Sequence, residues 1–272
     1  MNDINTQESL QKLAVLIDAD NAQASVTNGL FAEIAKFGDV SVKRIYGDFT
    51  SPHSSSWKKV LQEHAIKPMQ QFAYTTGKNA TDSSMIIDAM DLLYTRRFDG
   101  FCLVTSDSDF TGLAMRLKEA GLKVFGFGEQ KTPKAFRNAC HKFILTELLR
   151  QDNNTNQKEP SKPNNSKTKT TNDNQNEPKP KETKEALIAT IEKDKVLDKF
   201  ILLAIEESSD DTGWAQLGTV GSYLTKLQPD FDPRLYGFKK LSDLIKSKKK
   251  IFQTQVILSP SGTGKNLYIK AK

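Results

Sequence analysis

Cysteine and histidine are both scarce, with two and three residues among 272. Cys102 and Cys140 form no CxxC pair and sit inside apolar patterns, which excludes a disulfide scaffold and a zinc knuckle. His53, His64 and His141 share no motif, so chemistry led by paired histidines has little to draw on. His141 follows Cys140 among apolar neighbours and reads as structural. Long apolar runs are missing too: none approaches the ~20 residues that cross a bilayer. The opening MNDINTQESLQK has no signal-peptide pattern. The expectation is a soluble, intracellular, cytoplasmic protein that does not engage membranes. Hydrophobic residues make up only 37% of the chain, low enough that part of it is expected to lie outside any core.

Where that part lies is plain. Residues 151–184 contain no aliphatic or aromatic side chain and are dominated by Asn, Lys, Thr, Pro and Glu. Such a segment cannot offset its ordering entropy by burial. It reads as a flexible polar tether between a first domain, 1–150, and a second, 185–272. A coil of this length reaches roughly 30 Å, enough to let two flanking domains move independently. The net charge of +6 is a mild basic bias, compatible with a polyanionic partner. The excess sits in the second half, whereas residues 1–150 are nearly balanced.

In the first domain, short apolar runs alternate with helical patterns. Residues 13–17, 40–46, 66–70, 101–105 and 122–127 read as strands. Residues 24–37, 55–63, 82–96, 110–119 and 133–150 read as helices. This alternation predicts an α/β fold: a parallel sheet covered on both faces, in three layers. Ligands of such sheets meet the carboxyl ends of the strands, so the residues just after each run matter most.

Those positions are acidic. LIDADN places Asp18, Asp20 and Asn21 after the first run, and LVTSDSDF places Ser106, Asp107 and Asp109 after the fourth. Asp82 opens a helical segment and shares a face with Ile86, Ala89 and Leu93, toward the sheet; Asp88 and Asp91 fall on the opposite face. If the strands ending at Asp18 and Asp107 are neighbours, three or four carboxylates converge. They would repel one another unless a hard cation such as Mg²⁺ or Mn²⁺ joined them. Plainer readings exist for each piece: helix capping for Asp82 and Asp109, an Asx turn for Asp20. Lys78 and Ser106 are candidate phosphate contacts. Lys78 serves equally to offset the acids, whereas helix capping is the better reading of Ser106. GFGEQ at 126–130 and SGTGK at 261–265 lack the patterns of phosphate-binding loops. The latter reads as a hairpin turn.

Together LIDADN, YGDF, GKNATDSSMIIDAMDLL, LVTSDSDFTGLAMRLKEAG and VFGFGEQKTPKAFRNACHKFI resemble the NYN domain in its LabA-like branch, within the PIN-like nuclease superfamily. The resemblance covers about residues 10–150. It implies a metal-dependent ribonuclease in which Asp18, Asp82, Asp107 and Asp109 hold Mg²⁺ or Mn²⁺, with Asn21 bracing the site or touching substrate. Asp88 also matches an acidic position of the family, but ranks lower on helical geometry.

The second domain offers helical patterns at 198–205, 215–227 and 238–246, then a hairpin joining IFQTQVIL to LYIKA, which describes a small winged-helix α+β unit. Its phrase YGFKKLSDLI, carried by Tyr236, Gly237, Phe238, Leu241 and Leu244, resembles the OST-HTH/LOTUS domain over about residues 195–272. That resemblance implies RNA binding. Lys239, Lys240, Lys246, Lys248, Lys249 and Lys250 give a basic helix and tail able to contact phosphates, or else merely to solvate a helix end. Tyr236 and Phe238 either stack on bases or pack in the core. The leading expectation is a nuclease that cuts RNA recruited by the second domain. The alternatives are a non-catalytic RNA-binding regulator and a DNA-directed nuclease. Oligomeric state is left open, a homo-oligomer included.

Overall fold

The structure, a computed structural model, describes residues 10–50, 52–72, 80–150, 184–258 and 265–272. Lys78, most of the 151–184 tether and the 261–264 turn lie outside the described residues.

The strands form where apolar residues run without interruption. β1 (Lys12–Asp18), β2 (Asp39–Gly47), β3 (Lys67–Gln70), β4 (Gly100–Val104), β5 (Lys123–Gly128) and β6 (Lys142–Leu145) make one sheet of order β3-β2-β1-β4-β5-β6. All neighbouring strands are parallel. The central β1 and β4 are buried on both faces, as a covered parallel sheet requires.

Strand periodicity divides β1 between two cores. Leu13, Val15 and Ile17 pack with α1 (Thr27–Ile34) and α2 (Trp57–Glu63), through Leu30, Ile34 and Trp57. Ala14 and Leu16 face α3 (Ala80–Tyr94), α4 (Thr111–Glu119) and α5 (Lys134–Ala139), through Met85, Leu117 and Phe136. The helices change face because the strand order reverses direction at β1 and parallel crossovers keep one hand. The reversal opens a crevice between the carboxyl ends of β1 and β4, where such sheets hold their ligands.

Two readings of the sequence need correction here. The helix expected over 133–150 is only α5; the chain then extends at Cys140 into β6. Phe136, Cys140 and Phe143 mimic helical spacing, but Phe143 and Ile144 instead supply the two faces of a short buried strand beside β5. The helical-face assignment of Asp88 also fails. Its carboxylate is half-buried and accepts hydrogen bonds from Tyr46 and Arg44 on β2, so it lies on the sheet side of α3.

The second unit has its own core. α6 (Lys184–Glu206), α7 (Leu217–Leu227) and α8 (Leu241–Ser247) pack against an antiparallel sheet of β7 (Ala215–Gln216), β8 (Phe252–Leu258) and β9 (Lys265–Ala271), in the order β7-β9-β8. Leu197, Ile201, Val220, Leu224, Leu244, Phe252 and Ile269 are buried together. The helix expected over 215–227 starts two residues late because Ala215 and Gln216 pair with β9. The one expected over 238–246 starts at Leu241, after Gly237 turns the chain with φ of 82°. That conformation suits glycine. Lys239 and Lys240 therefore precede the helix.

The glycines of GFGEQ serve packing. A Cβ on Gly126 would stand 2.5 Å from Phe143 Cδ2 and 2.7 Å from Cys140 Sγ. We predict that Gly126→Ala destabilises the chain by about 1–3 kcal/mol in urea unfolding, because a well-packed core resists added volume. An unchanged midpoint would show that the β5–β6 face relaxes freely.

Candidate metal centre

Asp18 is the last residue of β1 and is fully buried. Its carboxylate is held from three directions. Oδ1 accepts from the Asp20 N–H at 3.0 Å, while Oδ2 accepts from Asn21 Nδ2 and from Thr105 Oγ1, each at 2.8 Å. Asn21 therefore braces Asp18. The Asx turn foreseen for Asp20 is made by Asp18 instead, and Asp20 itself is exposed. Burial is the main reason that the Asp18 carboxyl lies above its ordinary range, and the three hydrogen bonds only partly offset it.

Thr105 is the residue that sequence reasoning missed. It follows β4, is buried, and its hydroxyl donates to Asp18 while accepting from the Asp107 N–H at 3.1 Å. One hydroxyl thus ties the end of β1 to the turn after β4. The signal was available in VTSDSD, as a polar hydroxyl where a buried strand meets two acids. Asp107 caps the short 3₁₀ turn Ser108–Phe110 by accepting from the Asp109 N–H at 2.9 Å. Capping was expected of Asp109 or Ser106. Asp109 is exposed in the first turn, and Ser106 is buried with its hydroxyl accepting from the Glu129 N–H at 2.9 Å. That places Ser106 in the joint between two loops, away from a substrate-contact role.

Asp82 enters from the first turn of α3. Carboxylate oxygens of Asp82, Asp107 and Asp109 all lie within 4.8 Å of one another. Three acids from two distant segments thus meet at the crevice, with Asp18 behind them but outside that group of three. Burial, followed by the charges of Asp18, Asp107, Asp109 and Asp20, pushes the Asp82 carboxyl up to about 6. Neither Asp82 nor Asp107 has a salt bridge among the described residues. Asp88 behaves differently: Arg44 and Tyr46 engage it. Burial and the adjacent carboxylate keep the Tyr46 hydroxyl protonated far above its ordinary range. An all-oxygen, multiply anionic donor set of this kind fits a hard divalent cation.

His141 accepts from the Val124 N–H at 3.1 Å, and burial holds its imidazole below the usual range, consistent with a structural part. On the second unit, Lys239, Lys240 and Lys249 are exposed, with no salt bridge among the described residues. Lys248 is different. Its ammonium lies 2.7 Å from Asp198 and 3.6 Å from Asp194 on α6, so it is neutralised within the fold and is a poor phosphate contact. Tyr236 and Phe238 are partly buried against the core.

A parallel sheet with a 3-2-1-4-5-6 order and carboxylates gathered at its switch point defines a PIN-like, nuclease-type fold. The chain belongs to the NYN-domain family: the model of that domain matches residues 12–147. The OST-HTH/LOTUS domain model matches residues 179–261, a domain associated with RNA binding.

Similar solved structures include three proteins. An uncharacterized protein of Nitrosomonas europaea is 44% identical over 40% of this chain and 91% of its own, with a TM-score of 0.26. A protein of unknown function from Vibrio parahaemolyticus is 18% identical over 52% of this chain and 95% of its own, with a TM-score of 0.43. A protein from Chromobacterium violaceum is 36% identical over 28% of this chain and 78% of its own, with a TM-score of 0.24. Among curated proteins nothing matches. Among the described residues no helix is long and apolar enough to cross a membrane.

The raised Asp82 carboxyl sets a pH dependence. Asp82 binds its proton more tightly in the folded chain than in the unfolded one, whose value is near 3.8. Without a cation, the folded state therefore loses stability as pH rises from about 4 through 6. We predict that Asp82→Asn flattens this decline in thermal unfolding with EDTA, and abolishes the gain that Mn²⁺ gives the parent above pH 6. The same Mn²⁺ gain in both proteins would place the cation elsewhere.

Proposed function

We propose that the chain is a metal-dependent ribonuclease that hydrolyses RNA phosphodiester bonds at the β1–β4 crevice. The observation that carries this reading is the meeting of Asp82, Asp107 and Asp109 oxygens within 4.8 Å, beside the buried Asp18. Mg²⁺ or Mn²⁺ held there would polarise the scissile phosphate, generate hydroxide from a bound water and neutralise the leaving oxygen.

The chain's own residues arrange the site. Asp82, Asp107 and Asp109 present the ligand oxygens, and Asp18 adds negative charge from behind. Thr105 and Asn21 fix Asp18 so that its carboxylate does not rotate away. This scheme needs no histidine. Asp88, already bound by Arg44 and Tyr46, anchors α3 to β2 and so sets where Asp82 stands at the start of that helix. Asp88 is a positioning residue here.

Lys239, Lys240 and Lys249 are the proposed phosphate contacts of the second domain. Lys239 and Lys240 extend from the turn before α8, and Lys249 lies just beyond its end. Lys248 is withdrawn from that set by its ion pair with Asp198. Recruitment by a domain on the same chain raises the local concentration of RNA at the acidic crevice without any new contact there.

Labelled single-stranded RNA tests the proposal. Cleavage should require Mg²⁺ or Mn²⁺, stop with EDTA and fall by about 100-fold or more in Asp107→Asn, since even supporting groups of metal sites cost 10–100-fold. Lys239→Ala with Lys240→Ala should weaken RNA binding and reduce its salt slope by ~0.7 for each phosphate no longer neutralised. Cleavage that persists in EDTA, or in purified Asp107→Asn, would contradict the mechanism. Cutting of DNA but not RNA would keep the metal chemistry and reject the substrate.

A further inference from the structure

The segment from Pro229 to Arg234, between α7 and α8, reaches out of the second domain and meets the first. Arg234 is the centre of the contact. Its Nε donates to both oxygens of Asp232, at 3.0 and 3.1 Å, and its Nη2 donates to Asp232 Oδ2 at 2.6 Å. Nη1 and Nη2 reach the two oxygens of Glu33, on the last turn of α1, at 3.1 and 3.2 Å. Lys36 completes the cluster with a 2.7 Å contact to Glu33.

Glu33 and Asp232 are 6% and 7% exposed, so the carboxylates are desolvated where the two domains meet. A buried carboxylate needs a partner of this kind, because leaving one unpaired is strongly unfavourable. The planar fork of arginine suits two bidentate carboxylates at once.

A second group of contacts lies beside it. Arg137, at the end of α5, donates through Nη1 to Asp230 at 2.9 Å and through Nε to the Thr132 carbonyl at 2.8 Å, and its Nη2 donates to the Gln130 carbonyl. The Phe143 N–H on β6 donates to the Pro229 carbonyl at 2.9 Å. β6 is the edge of the six-stranded sheet, where unpaired backbone groups are a liability unless covered. Within these six residues the Pro229 carbonyl, Asp230 and Arg234 each meet a complement across the domain boundary, while Asp232 holds Arg234 in place from within the loop.

We infer that residues 229–234 form a docking loop that seats the OST-HTH/LOTUS domain on the α1 and β6 side of the NYN domain. The contact is polar and charge-assisted, so it is specific in geometry and sensitive to salt. It is also intramolecular, which lets a weak interface persist that separate molecules would not sustain.

The consequence concerns RNA access. A cleft of about 1240 Å³ lies between the domains, lined by Gln130 and Arg137 on one side and by Val196, Leu235, Tyr236 and Phe238 on the other. The two rings offered by the sequence for base stacking face this cleft. Docking therefore controls what can reach them, and a strand held there is presented in a fixed direction relative to the first domain.

The full chain tests this by energy transfer between dyes on Lys59→Cys and Lys226→Cys, both at exposed positions. Cys102 and Cys140 are buried and do not compete for label. We expect a high-transfer population at low salt, falling roughly twofold or more in Arg234→Glu as the intramolecular contact opens. Adding Glu33→Arg to that variant recreates opposite charges across the boundary and should restore transfer. Circular dichroism confirms that each variant is folded. Unchanged transfer in folded Arg234→Glu, or a folded double variant as open as the single, would overturn the docking loop. No cleavage is measured, so the result stands apart from the nuclease reading.

Discussion

Mutual repulsion among carboxylates is the constraint around which the first domain is organised. Asp18, Asp82, Asp107 and Asp109 come from three separated segments of the chain, yet they are brought to one crevice. The sheet makes that possible. β1 and β4 are adjacent and parallel, so the residues following them emerge side by side at the point where strand order reverses. The reversal also sends α3 across the sheet, and its first turn delivers Asp82. Burial and neighbouring charge raise Asp82, which means the fold stores unfavourable electrostatics at this spot instead of dispersing them. Such an arrangement is expected at functional sites, where local stability is given up for chemistry.

Not every acid in the neighbourhood shares that condition. Asp88 lies two turns along α3 from Asp82, but Arg44 and Tyr46 engage it and link the helix to β2. Asp18 is intermediate: buried, hydrogen-bonded on both oxygens, and oriented by Thr105 and Asn21. The domain thus carries an acid for anchoring, an acid held rigid behind the site, and three acids gathered in front. The second domain follows a different logic. Its Lys239, Lys240 and Lys249 are exposed, whereas Lys248 is engaged by Asp198 inside the fold.

Much of the architecture was legible because buried parallel strands must be continuously apolar, and the stretches 13–17 and 101–104 are. The acids after them were legible because strand ends in such sheets are where ligands sit. β6 escaped because Phe136, Cys140 and Phe143 have helical spacing, and only the neighbouring β5 edge makes KFIL a strand. Asp88 was misplaced because a helical wheel fixes a direction and cannot show that Arg44 and Tyr46 wait at its border. Thr105 was passed over because a threonine gains meaning only through its partners. Lys248 looked like any lysine in a basic tail until α6 placed Asp198 against it. In each case the missing information was a tertiary neighbour, which local periodicity does not encode.

The central claim is that the gathered carboxylates form a cation site. Anomalous scattering from crystals soaked in Mn²⁺ tests it most directly. The account predicts a peak bonded to oxygens of Asp82, Asp107 and Asp109 at about 2.0–2.6 Å, the range for hard divalent cations on oxygen. A crevice without Mn²⁺ at saturating concentration, its carboxylates turned apart or paired with cationic side chains, would contradict it.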